Sequence, residues 1–177
     1  VQSYFEGICP RARQLIALAL RSGDDAVGGA LAGFLEAQGR EDALPAVLHA
    51  IHEIRGPREA ERLCPEDLLA LPVEVAVPTA DVLGRTGHVP FFGRLAAAVR
   101  GAPETPVCVA ALNALRNLVR RDASARRDFA ALLEELVDAD PPAASPSLLL
   151  GHFLDLDGAE RASAIERLLA REKNPQR

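Results

Sequence analysis

The sequence predicts an all-α fold, an α-solenoid of about nine or ten short helices, and three features point that way. Apolar residues recur at three-and-four spacing through most of the chain. Strand formers are scarce, with aromatic residues at 4% and no long alternating run of β-branched side chains. The segments with helical spacing are short and joined by short connections, which makes consecutive helices pack as neighbours. A chain of 177 residues, 49% apolar and 25% charged, can bury one substantial core. We therefore expect one all-helical domain over residues 1–177, frayed at about 1–9 and 173–177.

Helices are expected first near Pro10–Arg21 and Asp24–Gln38. The second contains Gly28, Gly29 and Gly33, each costing about 1 kcal/mol relative to alanine inside a helix. They read as places of close helix contact rather than a phosphate loop, since no strand precedes them. From Asp42 to Arg55, Leu44, Val47, Leu48, Ile51 and Ile54 keep one buried face, and Gly56-Pro57 stops the helix. Two short helices follow near Glu66–Leu71 and Thr79–Arg85, in a stretch punctuated by Pro65, Pro72, Pro78 and Pro90. Phe91–Arg100 and Pro106–Arg121 come next. In Ser124–Asp138 the stripe is Phe129, Leu132, Leu133, Leu136 and Val137, with Ser124 capping the start and Pro141-Pro142 closing the end. Ser145–Leu154 and Ala159–Glu172 complete the set.

The pair Asp24–Arg55 overlays the pair Pro106–Asp138 at an offset of 81 residues, placing Val27, Ala30, Leu31, Phe34, Leu48 and Ile51 on Cys108, Ala111, Leu112, Leu115, Phe129 and Leu132. Two periods of roughly 40 residues give that offset, the length of a HEAT or armadillo unit.

Composition narrows the chemistry. A formal charge of −5 argues against a nucleic-acid binder working through global positive charge. Lysine occurs once, at Lys173, among 20 basic residues. No apolar run approaches ~18 residues, and the N-terminal stretch lacks the order of a signal peptide, so we expect a cytoplasmic or nuclear protein without a membrane span. Cys9, Cys64 and Cys108 are widely spaced with no CxxC pair, which predicts buried free thiols.

Catalytic patterns are thin. His49, His52 and Glu53 form an H-x-x-H-E run on one helix, but they fall opposite the leucine stripe with no fourth ligand nearby, so no metal is expected. His88 and His152 have no evident acid or nucleophile partner in the sequence. No G-x-S-x-G occurs, and Cys108 falls on the apolar side of its helix. The carboxylate pairs Asp24-Asp25, Glu134-Glu135 and Asp138/Asp140 sit at helix starts and polar faces, where solvation and helix dipoles account for them. We expect no enzyme and no cofactor.

The stretch "VAALNALRNLVRR" places leucine and alanine on one side of a helix and Asn113, Arg116, Asn117 and Arg120 on the other. Its "ALRNLV" is similar to the third helix of armadillo repeats, in which an asparagine holds the main chain of an extended peptide; by position Asn117 matches it. A resemblance to PUL domains extends over about Pro72 to Val137. "VPTADVLGR" matches the family segment at Pro78, Asp81, Leu83 and Arg85, and "ALNALRNLV" follows at a suitable distance. Val77 and Ala80 stand where the family has Phe and Leu. PUL domains are armadillo-like adaptors that bind the tail of a ubiquitin-directed AAA ATPase in a basic groove. The resemblance implies a peptide-binding adaptor in protein quality control. Arg116, Arg120, Arg121, Arg126 and Arg127 are the counterpart of that basic groove.

A different resemblance gives the alternative. "LGRTGHVPFFGRLAAAV" resembles the first homology region of Bcl-2 proteins, and "LALRSGDDA" is similar to their Gly-Asp helix motif. It implies a bundle that accepts an amphipathic helix, although here the helix opened by Gly93-Arg94 meets Gly101 and Pro103 after about ten residues. The sequence reading is a non-catalytic module that binds a peptide or protein segment at Asn113, Arg116, Asn117, Arg120 and Arg85.

Overall fold

A computed structural model of the chain describes residues 44–55, 57–139, 145–153 and 158–172. Among them the regular structure is helical throughout: α1 (Leu44–Arg55), α2 (Pro57–Leu63), α3 (Val73–Thr86), α4 (Phe91–Gly101), α5 (Pro106–Arg121), α6 (Arg126–Asp138), α7 (Pro146–Phe153) and α8 (Gly158–Glu172), with 3-10 turns at Leu68–Ala70 and Ala123–Ala125. The helices expected at Pro10–Arg21 and Asp24–Gln38, with Gly28, Gly29, Gly33 and Cys9, lie outside the described residues.

One apolar cluster runs from Leu44 in α1 to Leu168 in α8. The stripes read from the sequence supply it: Leu44, Val47, Leu48 and Ile51 from α1, and Phe129, Leu132, Leu133, Leu136 and Val137 from α6. Substantial contacts join helices next to each other or two apart in the chain, including α1 with α3, α3 with α5, α5 with α7 and α6 with α8.

The proline-rich middle departs from expectation in two places. Pro57 opens α2 rather than merely stopping α1, because the first helical position needs no backbone N–H. Helix α3 begins at Val73 and runs through Pro78, where a break was expected. An interior proline removes one hydrogen bond and costs about 3 kcal/mol; burial of Val75, Ala76, Ala80, Val82 and Leu83 outweighs that cost. The expected helix at Glu66–Leu71 is only a 3-10 turn, capped by Asp67, whose side chain accepts from the Leu69 N–H at 2.8 Å.

The start of α6 also differs. Ser124 does not cap it; Asp122 accepts from the Ser124 N–H at 2.9 Å, holding a 3-10 turn, and α6 starts at Arg126. These hydrogen bonds from Ser124 hold the Asp122 carboxyl below the usual carboxylate range. The acidic pairs of α6 are not merely solvated. Glu135 accepts two bonds from Arg100 of α4, at 2.8 and 2.7 Å, and that guanidinium holds its carboxyl below the usual range. Arg167 of α8 reaches Glu134 at 3.4 Å and Asp138 at 3.2 Å. Because these pairs are exposed, each adds only about 0–1 kcal/mol and sets alignment more than stability.

The α4–α5 connection passes through Glu104 at φ 61°, a left-handed conformation that suits glycine. Glu104→Gly is expected to raise the unfolding free energy by roughly 0.5 kcal/mol, the relief of strain offset in part by a freer unfolded chain. A urea midpoint that moves up at unchanged slope checks this.

Candidate functional site

Helix α5 has clear local causes. Thr105 caps it, its hydroxyl accepting from the Cys108 N–H at 3.2 Å, and Pro106 occupies the first turn. Val107, Cys108, Ala111, Leu112, Ala114, Leu115, Leu118 and Val119 are buried. The helix packs against α3, α4, α6 and α7.

The four polar residues singled out in the sequence share the remaining face. At 100° per residue they span an arc of about 100°. Asn113 and Arg120 are exposed, while Arg116 and Asn117 are half-buried at its flank. The helix carries no Asp or Glu, in a chain of net charge −5. Any ion pair its arginines make is therefore with another segment of the chain. Arg121 and Arg127 are exposed and Arg126 is half-buried around the α5–α6 turn.

Arg85 stands apart from this group. It lies on α3, is exposed, and pairs with Asp81 one turn earlier at 2.8 Å. The sequence reading also missed Val109, which is 37% exposed one turn before Asn113; its i−4 spacing from Asn113 was the available signal.

A second constellation joins α2 to α4. His88 Nε2 lies 2.9 Å from Glu61 Oε2, an acid partner absent from the sequence reading. The Arg94 guanidinium donates to the Glu61 carbonyl at 3.1 Å and lies 5.8 Å from the centre of the Phe91 ring. His88 meets that same ring edge-on at 5.1 Å. Beside them Cys64 is buried, and burial pushes its thiol up to about 11 despite the opposing Arg94 charge. Cys108 is also buried and its thiol is pushed up by burial. Nucleophilic chemistry needs a thiolate, which neither environment favours at neutral pH. The group around Glu61 acts as a polar fastening between helices.

His49 and His52 are half-buried on α1, and the Glu53 side chain lies outside the described residues. Among the described residues no three His, Cys, Asp or Glu side chains are grouped to hold a metal ion. No helix among them is long and apolar enough to cross a membrane.

No family model matches this sequence, and no match emerges among curated proteins or among solved structures.

Proposed function

We propose that the protein is a non-catalytic helical-repeat interaction module that binds a peptide or protein segment along Asn113, Arg116, Asn117 and Arg120 of α5. The observation that carries this reading is the composition of that face: its polar groups are all amides and guanidiniums, with Val109 beside them, on a helix whose other side is committed to the core. Asparagine amides both donate to and accept from a peptide main chain, and guanidiniums bind carboxylates through directed paired bonds. Among the described residues the larger helix–helix contacts join near neighbours along the chain, which favours an armadillo- or HEAT-like stack, in which each unit packs chiefly on the next. On the PUL resemblance, the setting is an adaptor of ubiquitin- and AAA-ATPase-linked quality control in the cytoplasm or nucleus.

The test is a display library of ten-residue peptides selected on the whole chain, with the selected peptides then titrated against Asn117→Ala/Arg120→Glu. Loss of one neutral and one charge-assisted hydrogen bond is worth about 2–3 kcal/mol, so affinity is expected to fall roughly 30-fold or more. An unchanged melting temperature would confirm that the variant is folded. A library that yields no peptide, or peptides bound equally by the folded variant, overturns the reading.

A further inference from the structure

Helices α3 and α5 lie side by side and run the same way. A Cβ on Gly84, late in α3, would strike Ala114 in α5, and Gly87, just past the end of α3, lies against the side chain of Arg121, the last residue of α5. The two helices therefore begin at the same end of the molecule. There the 3-10 turn Leu68–Ala70 packs on both α3 and α4. The Leu69 side chain covers Gly101 so closely that a Cβ on that glycine would fall 2.5 Å from a Leu69 methyl.

Two large apolar side chains stay open to solvent at this end, Leu69 at 36% and Val73 at 47%. The core does not need them, since Leu68 and Val75 already anchor the turn and the helix. The charge around them has one sign. From Leu63 to Gly84, and again from Gly101 to Leu115, the chain has no lysine, arginine or histidine, while Glu66, Asp67, Glu74 and Glu104 are all exposed. Arg100, just before Gly101, is bound to Glu135. Among the described residues Glu66, Glu74 and Glu104 make no ion pair. A carboxylate in the first turn of a helix interacts favourably with its dipole, which accounts for Glu74. It does not account for Glu66, ahead of a three-residue turn, or for Glu104, which keeps a carboxylate where glycine would hold the backbone without strain.

We propose that this end of the molecule docks a basic amphipathic segment of a partner protein. Leu69 and Val73 receive an apolar anchor, and Glu66, Glu74 and Glu104 take the arginines or lysines that flank it. Apolar burial supplies contact area without preference among partners. The carboxylates supply the preference, because an acidic or neutral segment would leave them crowded and unpaired. A net charge of −5 steers the same class of partner toward the chain. This surface shares no residue with the polar face of α5, so either can bind without the other.

The experiment selects twelve-residue peptides from a display library on the whole chain, after depletion on Leu69→Ser/Val73→Ser. Depletion removes peptides that bind elsewhere, so an empty result leaves the reading of α5 untouched. The expected peptides carry two or more lysines or arginines around a leucine, isoleucine or phenylalanine. Their binding should weaken at least fivefold between about 0.05 and about 0.3 M salt. Glu66→Gln/Glu74→Gln should weaken it about fivefold, and Glu104→Gly roughly two- to fivefold. The glycine variant should also melt higher, which separates lost docking from lost folding. Asn117→Ala/Arg120→Glu should leave the affinity unchanged. An empty selection, neutral or acidic peptides, or binding indifferent to salt and to Glu104→Gly overturns the inference. So does a dimer of the chain that Leu69→Ser/Val73→Ser dissociates, which would give the surface to a second copy, and so does loss of binding in Asn117→Ala/Arg120→Glu.

Discussion

Replacing Gly84 with alanine is expected to lower the unfolding free energy by about 2 kcal/mol, and leucine at that position to lower it by more than 3. A Cβ built on Gly84 falls 2.5 Å from both the Cα and the carbonyl oxygen of Ala114, where α3 crosses α5. Those atoms are backbone, so relief requires the two helices to move apart and loosens the packing of Leu83, Leu112 and Leu115, all fully buried. Better helix propensity returns up to about 1 kcal/mol for either residue, and leucine loses more because its larger side chain forces the helices further apart. Two controls sharpen the test. Ala114→Gly removes only a methyl group and leaves the clashing atoms in place, so it should not rescue Gly84→Ala. Gly93 in α4 has open space where its Cβ would be, so Gly93→Ala should raise stability by up to about 1 kcal/mol. Denaturant unfolding with unchanged slope measures all of these. Rescue by Ala114→Gly, or a gain in stability for Gly84→Ala, would refute a backbone-on-backbone crossing.

That glycine also marks the limit of what the sequence reveals. Close approach was assigned to Gly28, Gly29 and Gly33 because three glycines in one helical segment are conspicuous, and those residues lie outside the described ones; Gly84 gives no local sign that Ala114 will lie against it. Helix α5 was legible from end to end, since Thr105, Pro106 and the buried stripe around Leu112 and Leu115 are local signals with local effects. Its polar face was legible for the same reason, being set by helical spacing alone. Signals that depend on tertiary packing were not. Pro78 reads as a break and is overridden by burial on both sides of it. Pro57 carries two opposite meanings, and only the neighbouring helix decides between them. The His88–Glu61 contact spans 27 residues and needs α2, which was not anticipated, to bring the acid within reach. Arg85 was grouped with the α5 residues on resemblance, and its ion pair with Asp81 follows an i,i+4 rule that the sequence already contained.

Truncating Phe129 to alanine is expected to cost roughly 3–5 kcal/mol, a large share of the 5–15 kcal/mol that holds a typical domain together. The ring is fully buried in α6 and lies perpendicular to the His152 ring of α7, at a centroid distance of 6.3 Å and an interplanar angle of 89°. Removing it leaves a void that α7 cannot close without carrying the buried His152 along, so little of the lost contact should be recovered by collapse. Because one apolar cluster connects α1 to α8, the loss should be shared. Amide exchange is expected to quicken in α5 and α6 as well as in α7, and Phe129→Leu, which keeps most of the volume, should cost about 1.5 kcal/mol or less. If exchange quickens in α7 and α8 while α5 keeps its full protection, the C-terminal helices unfold as a unit of their own. The polar face of α5 would then be held by its contacts with α3 and α4, and Gly84 rather than Phe129 would govern its placement.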